Sequence, residues 1–205
     1  MEIRLAGISK RFTGRWLFKD IQLVFASGNQ YVITGDNGTG KTTLLLVVAG
    51  WISPTAGRIE YLEDGIKVPP DKYYRTLDFV APQVELIEDL TLHEFLHFHF
   101  HLNPFPSHFS IQSFLEWVYL ERESGKYIKN FSTGMKQRLK LGLGMFSANP
   151  VLLMDEPTSN LDPMGKVWFR EHFERIKRNK LILMASNQPE EIELCPHQVR
   201  IEKYQ

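Results

Sequence analysis

The chain has 205 residues, enough to bury a sizeable core and most simply one domain. Hydrophobic residues make up 43% and charged residues 23%, which are ordinary globular values. Lys+Arg and Asp+Glu both number 24, so no global charge draws the chain toward nucleic acid or an acidic membrane surface, and the single Cys195 forbids an internal disulfide and fits a reducing compartment.

Glu2 to Ile8 alternates apolar and polar residues in part, as an outer strand would. A turn over Lys10–Arg15 leads to a second strand candidate, Ile21–Phe25. Ser27-Gly28-Asn29 then turns the chain into a buried strand, Tyr31–Thr34. Residues 35 to 43 follow and read GDNGTGKTT. Gly35, four residues, then Gly40-Lys41-Thr42 is the P-loop pattern G-x-x-x-x-G-K-[ST]. A strand before it and the helical run Thr42–Ala49 after it supply the setting this pattern needs.

The chemistry follows from the residue types. Glycines let the backbone curl so that successive N–H groups point at phosphate oxygens, and the helix N-terminus adds partial positive charge. Gly35, Asp36, Asn37, Gly38, Thr39, Gly40, Lys41, Thr42 and Thr43 are therefore the expected phosphate cradle. Lys41 can reach the β- and γ-phosphates as a point charge, and the Thr42 hydroxyl can hold Mg²⁺. An ordinary glycine-rich turn is the competing reading, and the strand-loop-helix setting disfavours it. The segment implies binding of a nucleoside triphosphate.

Ser53–Gly57 breaks the chain, after which Arg58–Leu62 and Gly65–Val68 suggest a small hairpin around Glu63-Asp64. Thr76–Ala81 reads as a further strand. From Pro82 the character changes. Thr91-Leu92-His93-Glu94 is a capping box opening an apolar helix that ends near Asn103-Pro104. Ile111–Glu121 and Gly134–Ala148 read as two more helices, which together form a helical subdomain over about 83–149 inserted into a core of 1–82 and 150–205. His93, His97 and His101 share one helical face, with His99 and His108 nearby, and two such imidazoles could ligate zinc. No acidic or cysteine cluster accompanies them, so a polar helix face is the reading adopted.

Strand Val151–Met154, a helix near Pro163–Lys177, strand Leu181–Ala185, a short helix from Pro189 and strand Gln198–Glu202 complete the chain. Strands alternating with helices imply an α/β fold with a largely parallel sheet covered by helices. The early strands are joined by turns too short for crossovers, so they form an antiparallel part near the N-terminus. Val151–Met154 runs directly into Asp155-Glu156. A buried strand can deliver Asp155 to its carboxyl-end rim, where it reaches a metal at Thr42. Glu156 then sits where a general base could address a water near the γ-phosphate. Alone, an acidic turn after a buried strand is common.

Phe131-Ser132-Thr133-Gly134-Met135-Lys136-Gln137-Arg138-Leu139 places a serine before a helix start, with a nearby glycine, which can make a second anion site. A capped helix with a basic face is the alternative. The P-loop, this segment, the Asp-Glu strand and Ser159–Asp162 occur in one order within one chain. In this respect the sequence resembles the ABC ATPase family, the nucleotide-binding cassettes of ABC transporters, over nearly its whole length. Residues 131–135 are similar to the family signature LSGGQ, with Phe131, Thr133 and Met135 as departures and Ser132 and Gly134 retained. The resemblance makes Gln83 the glutamine that reaches Mg²⁺ or attacking water, and Phe12 the aromatic that stacks on adenine. A buried core phenylalanine competes for Phe12, and Trp16 is a second stacking candidate. Ser159–Asp162 resembles the loop that crosses the dimer interface. Where the family usually carries a switch histidine, this chain has Asn187, which can donate a hydrogen bond but cannot carry a proton or charge.

The resemblance implies an ATPase that joins two cassettes around ATP, one supplying the P-loop, Asp155 and Glu156 and the other Ser132 and Gly134. It implies a second cassette, identical or related, and a transmembrane permease as partners, with ATP and Mg²⁺ as ligands. Phe95, Phe98, Phe100 and Trp117 are available on the helical insertion for a permease helix. The form STGMKQR looks similar to exporter cassettes, and a soluble ABC protein of the iron–sulfur assembly type is the alternative. No window approaches the roughly 18 apolar residues of a spanning helix, and MEIRLAGISK lacks the apolar core of a signal peptide. The expectation is a cytoplasmic protein held at the inner face of a membrane through its permease, without inserting itself and without nucleic acid.

Overall fold

The computed structural model describes residues 1–103 and 110–205, so Pro104 and His108 of the readings above lie outside the described residues. The chain divides into two compact units. The first comprises Met1–Phe79, Asn149–Glu156 and Glu174–Gln205, and the second Val80–Ala148 and Pro157–Phe173.

The first unit opens with a hairpin of β1 (Glu2–Phe12) and β2 (Arg15–Ala26). Its loop is the dipeptide Thr13-Gly14 with φ of 46° and 85°. Two positive φ values at a two-residue connection match the twist of the flanking strands. Pairing therefore runs to Phe12 opposite Arg15, well past the strand ends expected from the alternation. The charged stretch Lys10–Arg15 hid this extension, because an exposed hairpin tip carries no apolar period. β4 (Ala56–Glu63) and β5 (Ile66–Val68) repeat the device at Asp64-Gly65, with φ of 50° and 81°. The four strands form one antiparallel sheet in the order β2-β1-β4-β5.

The second sheet of this unit contains β3 (Gln30–Thr34), β6 (Leu77–Val80), β7 (Val151–Asp155), β8 (Leu181–Ala185) and β9 (His197–Arg200), in the order β6-β7-β8-β3-β9. β7 and β8 pair in parallel, as do β8 with β3 and β3 with β9. β7 and β8 are buried at every position, the signature of strands covered on both faces. α1 (Lys41–Val48) presses Leu44, Leu45, Val47 and Val48 into a core shared with Ile3, Ile8 and Phe25 of the antiparallel sheet and Leu153 and Leu183 of the parallel one. Burying each such aliphatic side chain contributes about 1.5–3 kcal/mol. The last strand stops at Arg200, short of the expected Glu202, because Ile201–Tyr204 turns into a short 3₁₀ helix.

The second unit is helical. α2 (Leu92–Leu102) starts at the expected capping box, where the Thr91 hydroxyl accepts from the Glu94 N–H and the Glu94 carboxylate accepts from the Thr91 N–H at 2.8 Å. α3 (Ile111–Trp117) is capped by Ser110 and α4 (Thr133–Phe146) by Ser132. α3 ends four residues before the expected Glu121; Tyr119, with φ of 57°, cannot continue a right-handed helix. α5 (Pro163–Ile176) brings Trp168 and His172 against Trp117, with ring centroids 5.5 and 4.2 Å away, and the Trp168 indole N–H donates to the Trp117 carbonyl at 2.8 Å. These contacts group 157–173 with the helical unit, whereas the sequence division placed that stretch in the core. Of the aromatics offered for docking, Phe95 is buried and Trp117 joins this cluster, while Phe98 is exposed. No helix among the described residues is long and apolar enough to cross a membrane.

Lys180 gives the first unit a pH signature. It is buried, its ammonium donates to the Asn149 carbonyl at 2.7 Å, and burial pushes its pKa down to about 8, with the Asp78 carboxylate opposing the drop. A depressed lysine costs stability in full below the folded pKa, and the cost fades as pH rises to the unfolded value of about 10.4. Unfolding free energy should therefore gain up to about 1.4 kcal/mol per pH unit from this group between those two values. Urea melts of Lys180→Met from pH 7 to 10 should lack that rise; profiles parallel to the wild type would show that the group is not depressed.

Candidate functional site

Parallel register determines what meets at the carboxyl ends of the strands. Asp155 of β7 stands beside Ala185 of β8, Ala185 beside Ile33 of β3, and Thr34 of β3 beside Arg200 of β9. The loops that follow these residues must therefore begin side by side. Such a rim is where open α/β sheets bind their ligands.

Gly35 to Gly40 leaves β3 and curls into α1. Gly35, Gly38 and Gly40 hold φ of 150°, 81° and 106°. Gly40 also has no room for a side chain, since a Cβ there would lie 2.7 Å from Leu17 Cγ. The Thr39 hydroxyl donates to the Asp36 carbonyl at 2.7 Å and stiffens the loop. Lys41 is only 6% exposed, and its ammonium bends back to donate to the carbonyls of Gly35 (2.6 Å) and Asp36 (3.1 Å). A buried cation needs such partners. The Thr42 hydroxyl donates to Asp155 Oδ2 at 2.7 Å, joining residues 113 apart in sequence. Thr43 is half-buried on the same first helical turn.

Glu156 departs from the strand with φ of 45° while its N–H donates to the Ala185 carbonyl at 2.9 Å. The turn re-aims a half-buried carboxylate just beyond Asp155. Such a conformation in a non-glycine residue is uncommon and costs of order 1–3 kcal/mol. Asn187 follows β8, accepting from the Gly35 N–H at 3.4 Å and donating to Asn37 Oδ1 at 3.3 Å. Phe12 sits at the hairpin tip, half-exposed, with the Lys10 ammonium 4.9 Å from its ring centroid. It pairs with Arg15 at the tip of the hairpin, two residues before Leu17, the residue that meets Gly40. Trp16 pairs with Arg11 and has the Arg11 and Lys19 cations near its ring.

Gln83, Ser132 and Gly134 belong to the second unit. Gln83 is exposed in a turn, and the Lys140 ammonium of α4 donates to the carbonyls of Ala81, Pro82 and Val84 around it. Burial, with Lys136 adding to it, lowers the Lys140 pKa. The Ser132 hydroxyl accepts from the Met135 N–H at 3.2 Å, and a Cβ on Gly134 would stand 3.3 Å from the Asn160 carbonyl, so the glycine lets the first turn of α4 come close to the Asn160 backbone. The buried Gln137 amide donates to the Pro157 carbonyl at 2.7 Å. Asp162 accepts from the Gly165 N–H at 2.8 Å, a helix-start contact.

Lys140, Gln137 and Glu202 were not found by sequence reasoning. Glu202 Oε1 accepts from the Asp36 N–H at 2.9 Å. No motif surrounds it, and only the pairing of β9 with β3 could have placed it. The histidine face on α2 brings the rings of His93 and His97 to 4.4 Å, but no group of three or more His, Cys, Asp or Glu that could hold a metal occurs among the described residues.

Comparison with known proteins identifies the family. The ABC transporter family model matches residues 18–159. The chain is 31% identical over 201 residues to the Nod factor export ATP-binding protein I of Rhizobium johnstonii, covering 94% of this chain and 64% of that protein. It is 33% identical over 166 residues to the spermidine/putrescine import ATP-binding protein PotA of Fusobacterium nucleatum subsp. nucleatum, covering 78% and 43%. The chain thus spans less than two thirds of either relative. Among solved structures, a dimeric ATP-binding cassette in a post-hydrolysis state with ADP and phosphate superimposes with a TM-score of 0.82 at 20% identity, covering 97% of this chain and 94% of the other.

The bond between Thr42 and Asp155 is testable by itself. A cycle of Thr42→Val and Asp155→Asn, followed by urea unfolding, should return a coupling of about 1–2 kcal/mol. Strictly additive losses would show that the two groups do not interact in solution.

Proposed function

The chain belongs to the ABC transporter family, and on that premise we propose that it binds and hydrolyses ATP to drive a membrane transporter. The observation that carries the reading is the meeting of Lys41, Thr42 and Asp155 at the mouth of one glycine loop. The loop amides and the α1 N-terminus cradle the phosphates, and Lys41 exchanges its two carbonyl partners for phosphate oxygens. Phe12 offers a half-exposed ring to adenine from the tip of the first hairpin.

The Thr42 hydroxyl and Asp155 carboxylate are hard oxygen donors 2.7 Å apart, a set that fits Mg²⁺ with its preference for few protein ligands. When bound, magnesium neutralises charge on the β- and γ-phosphates. Gln83 is the further candidate ligand. Glu156 accepts a proton from the attacking water as its oxygen bonds the γ-phosphorus; the bond to the bridging oxygen breaks, giving ADP and phosphate. Asn187, already within reach of the loop amide at Gly35, donates to the γ-phosphate without titrating.

A complete site takes a second cassette, a copy or a related chain, whose Ser132 and Gly134 close on the γ-phosphate. The dimeric structural neighbour supports this pairing. Relatives named for export and for import support transport over the soluble alternative, and the permease then holds the cassette at the membrane. Because both directions use this core, the nucleotide chemistry is common to them.

Mg-ATP hydrolysis measured against protein concentration tests the reading. Specific activity should rise with concentration as dimers form. Glu156→Gln should keep ATP binding, lose at least about 100-fold in turnover and accumulate an ATP-bound dimer in size-exclusion chromatography. Normal turnover in that variant would remove Glu156 from the base role. Asn187→His should raise turnover several-fold and add a pH dependence near 6.5; an unchanged rate and profile would show that asparagine does not limit hydrolysis.

A further inference from the structure

The first two amides of the nucleotide loop are both held by side chains from the C-terminal third of the chain. Asn187 accepts from the Gly35 N–H, and Glu202 accepts from the Asp36 N–H. The register explains the match. Ile33 pairs with Ala185, so Gly35 and Asn187 stand two residues beyond one pair; Thr34 pairs with Arg200, so Asp36 and Glu202 stand two residues beyond the next. We propose that Glu202 is a positioning residue for ATP binding: its carboxylate and the adjoining Ile201 side chain fix where the loop leaves β3, and hence where the phosphate cradle forms.

Two independent features support this. The 3₁₀ turn Ile201–Tyr204 follows β9 directly, carries Glu202 in place beside the loop, and buries Ile201 completely. Gly35 is also fitted to this turn: a Cβ there would lie 2.7 Å from both Glu202 Oε1 and Ile201 Cγ2. The same Gly35 carbonyl accepts from Lys41, so the peptide units that Glu202 and Ile201 fix are those that hold the phosphate-reaching ammonium in reserve. The carboxylate has a second effect of opposite sign. It adds negative charge beside a site built for a triphosphate.

These two effects separate in two variants. Glu202→Ala removes acceptor and charge; Glu202→Gln keeps an acceptor oxygen and removes only the charge. The proposal rests on the ATP-binding reading, so the wild type is titrated first with ATP in the Glu156→Gln background, and each Glu202 variant is then titrated in the same background. Glu202→Ala should weaken ATP affinity about fivefold and raise KM by a similar factor in the hydrolysing protein, with kcat within about twofold. Glu202→Gln should recover wild-type affinity or exceed it. In the apo proteins, hydrogen exchange at the Asp36 amide should quicken in Glu202→Ala and recover in Glu202→Gln. Wild-type affinity in Glu202→Ala, or equal losses in both variants, would overturn the positioning role while leaving the ATPase reading intact. A wild type that binds no ATP would overturn both.

Discussion

The parallel register of β7, β8, β3 and β9 is the constraint from which the site follows. Each strand ends in the same row, so Asp155, Asn187, the glycine loop and Glu202 leave the sheet at neighbouring points. A slip of one residue in any pair would turn its side chains to the other face. Asp155 would then lose Thr42, and Asn187 would lose the Gly35 amide. The apolar runs of β7 and β8 protect the register from slipping, because every position is buried and a slip would have to repack both faces at once. The core thus performs two tasks with one set of side chains. It contributes the apolar burial that stabilises the unit, and it fixes the row from which the chemistry projects.

Backbone conformations that side chains resist occur at this rim as they do at the hairpin turns. Gly35, Gly38 and Gly40 carry positive φ in one loop, and Glu156 carries it without being glycine. Conformations of this kind persist only where neighbours over-determine them. Here the neighbours are identifiable: Leu17 and Phe18 crowd Gly40, Ile201 and Glu202 crowd Gly35, and the Ala185 carbonyl receives the Glu156 N–H. The antiparallel hairpin therefore matters to the site as well as to the core. Its strand β2 lays Leu17 and Phe18 against the loop. A loop shaped in advance loses little further entropy when a ligand binds it.

Sequence reasoning succeeded where a physical signal is local. The glycine spacing before Lys41 requires positive φ, the Thr91–Glu94 box requires a helix start, and the four apolar residues before Asp155 require a buried strand; each was found in place. The second hairpin was legible as well, although its turn is Asp64-Gly65, one residue beyond the Glu63-Asp64 expected, because this dipeptide takes the two positive φ values that a two-residue connection needs. The tip of the first hairpin was not, because Lys10, Arg11 and Arg15 are solvent-facing and break the alternation. Glu202 and Lys140 were invisible for a different reason. A lone carboxylate near a chain's end, or a lysine on an amphipathic helix, is usually a solvated charge. Only strand pairing places Glu202 beside Asp36, and only the fold of the turn at 81–84 brings three carbonyls around Lys140. Non-local pairing is the information that a periodicity argument lacks.

Asn187 links the end of β8 to the glycine loop through its side chain. An asparagine amide offers a donor and an acceptor at once, and both are used: the carbonyl oxygen takes the Gly35 N–H while the amide group donates to Asn37. A neutral histidine could make the same two contacts in one tautomer only, and a protonated one could not accept at all. With asparagine, these two contacts carry no titrating group, and the charges around the loop include those of Asp36, Lys41, Asp155, Glu156 and Glu202. Of these, Glu202 lies outside residues 35–43 and accepts from the backbone amide of Asp36. It therefore can tune how the loop is held while taking no part in the bonds that the reaction makes and breaks.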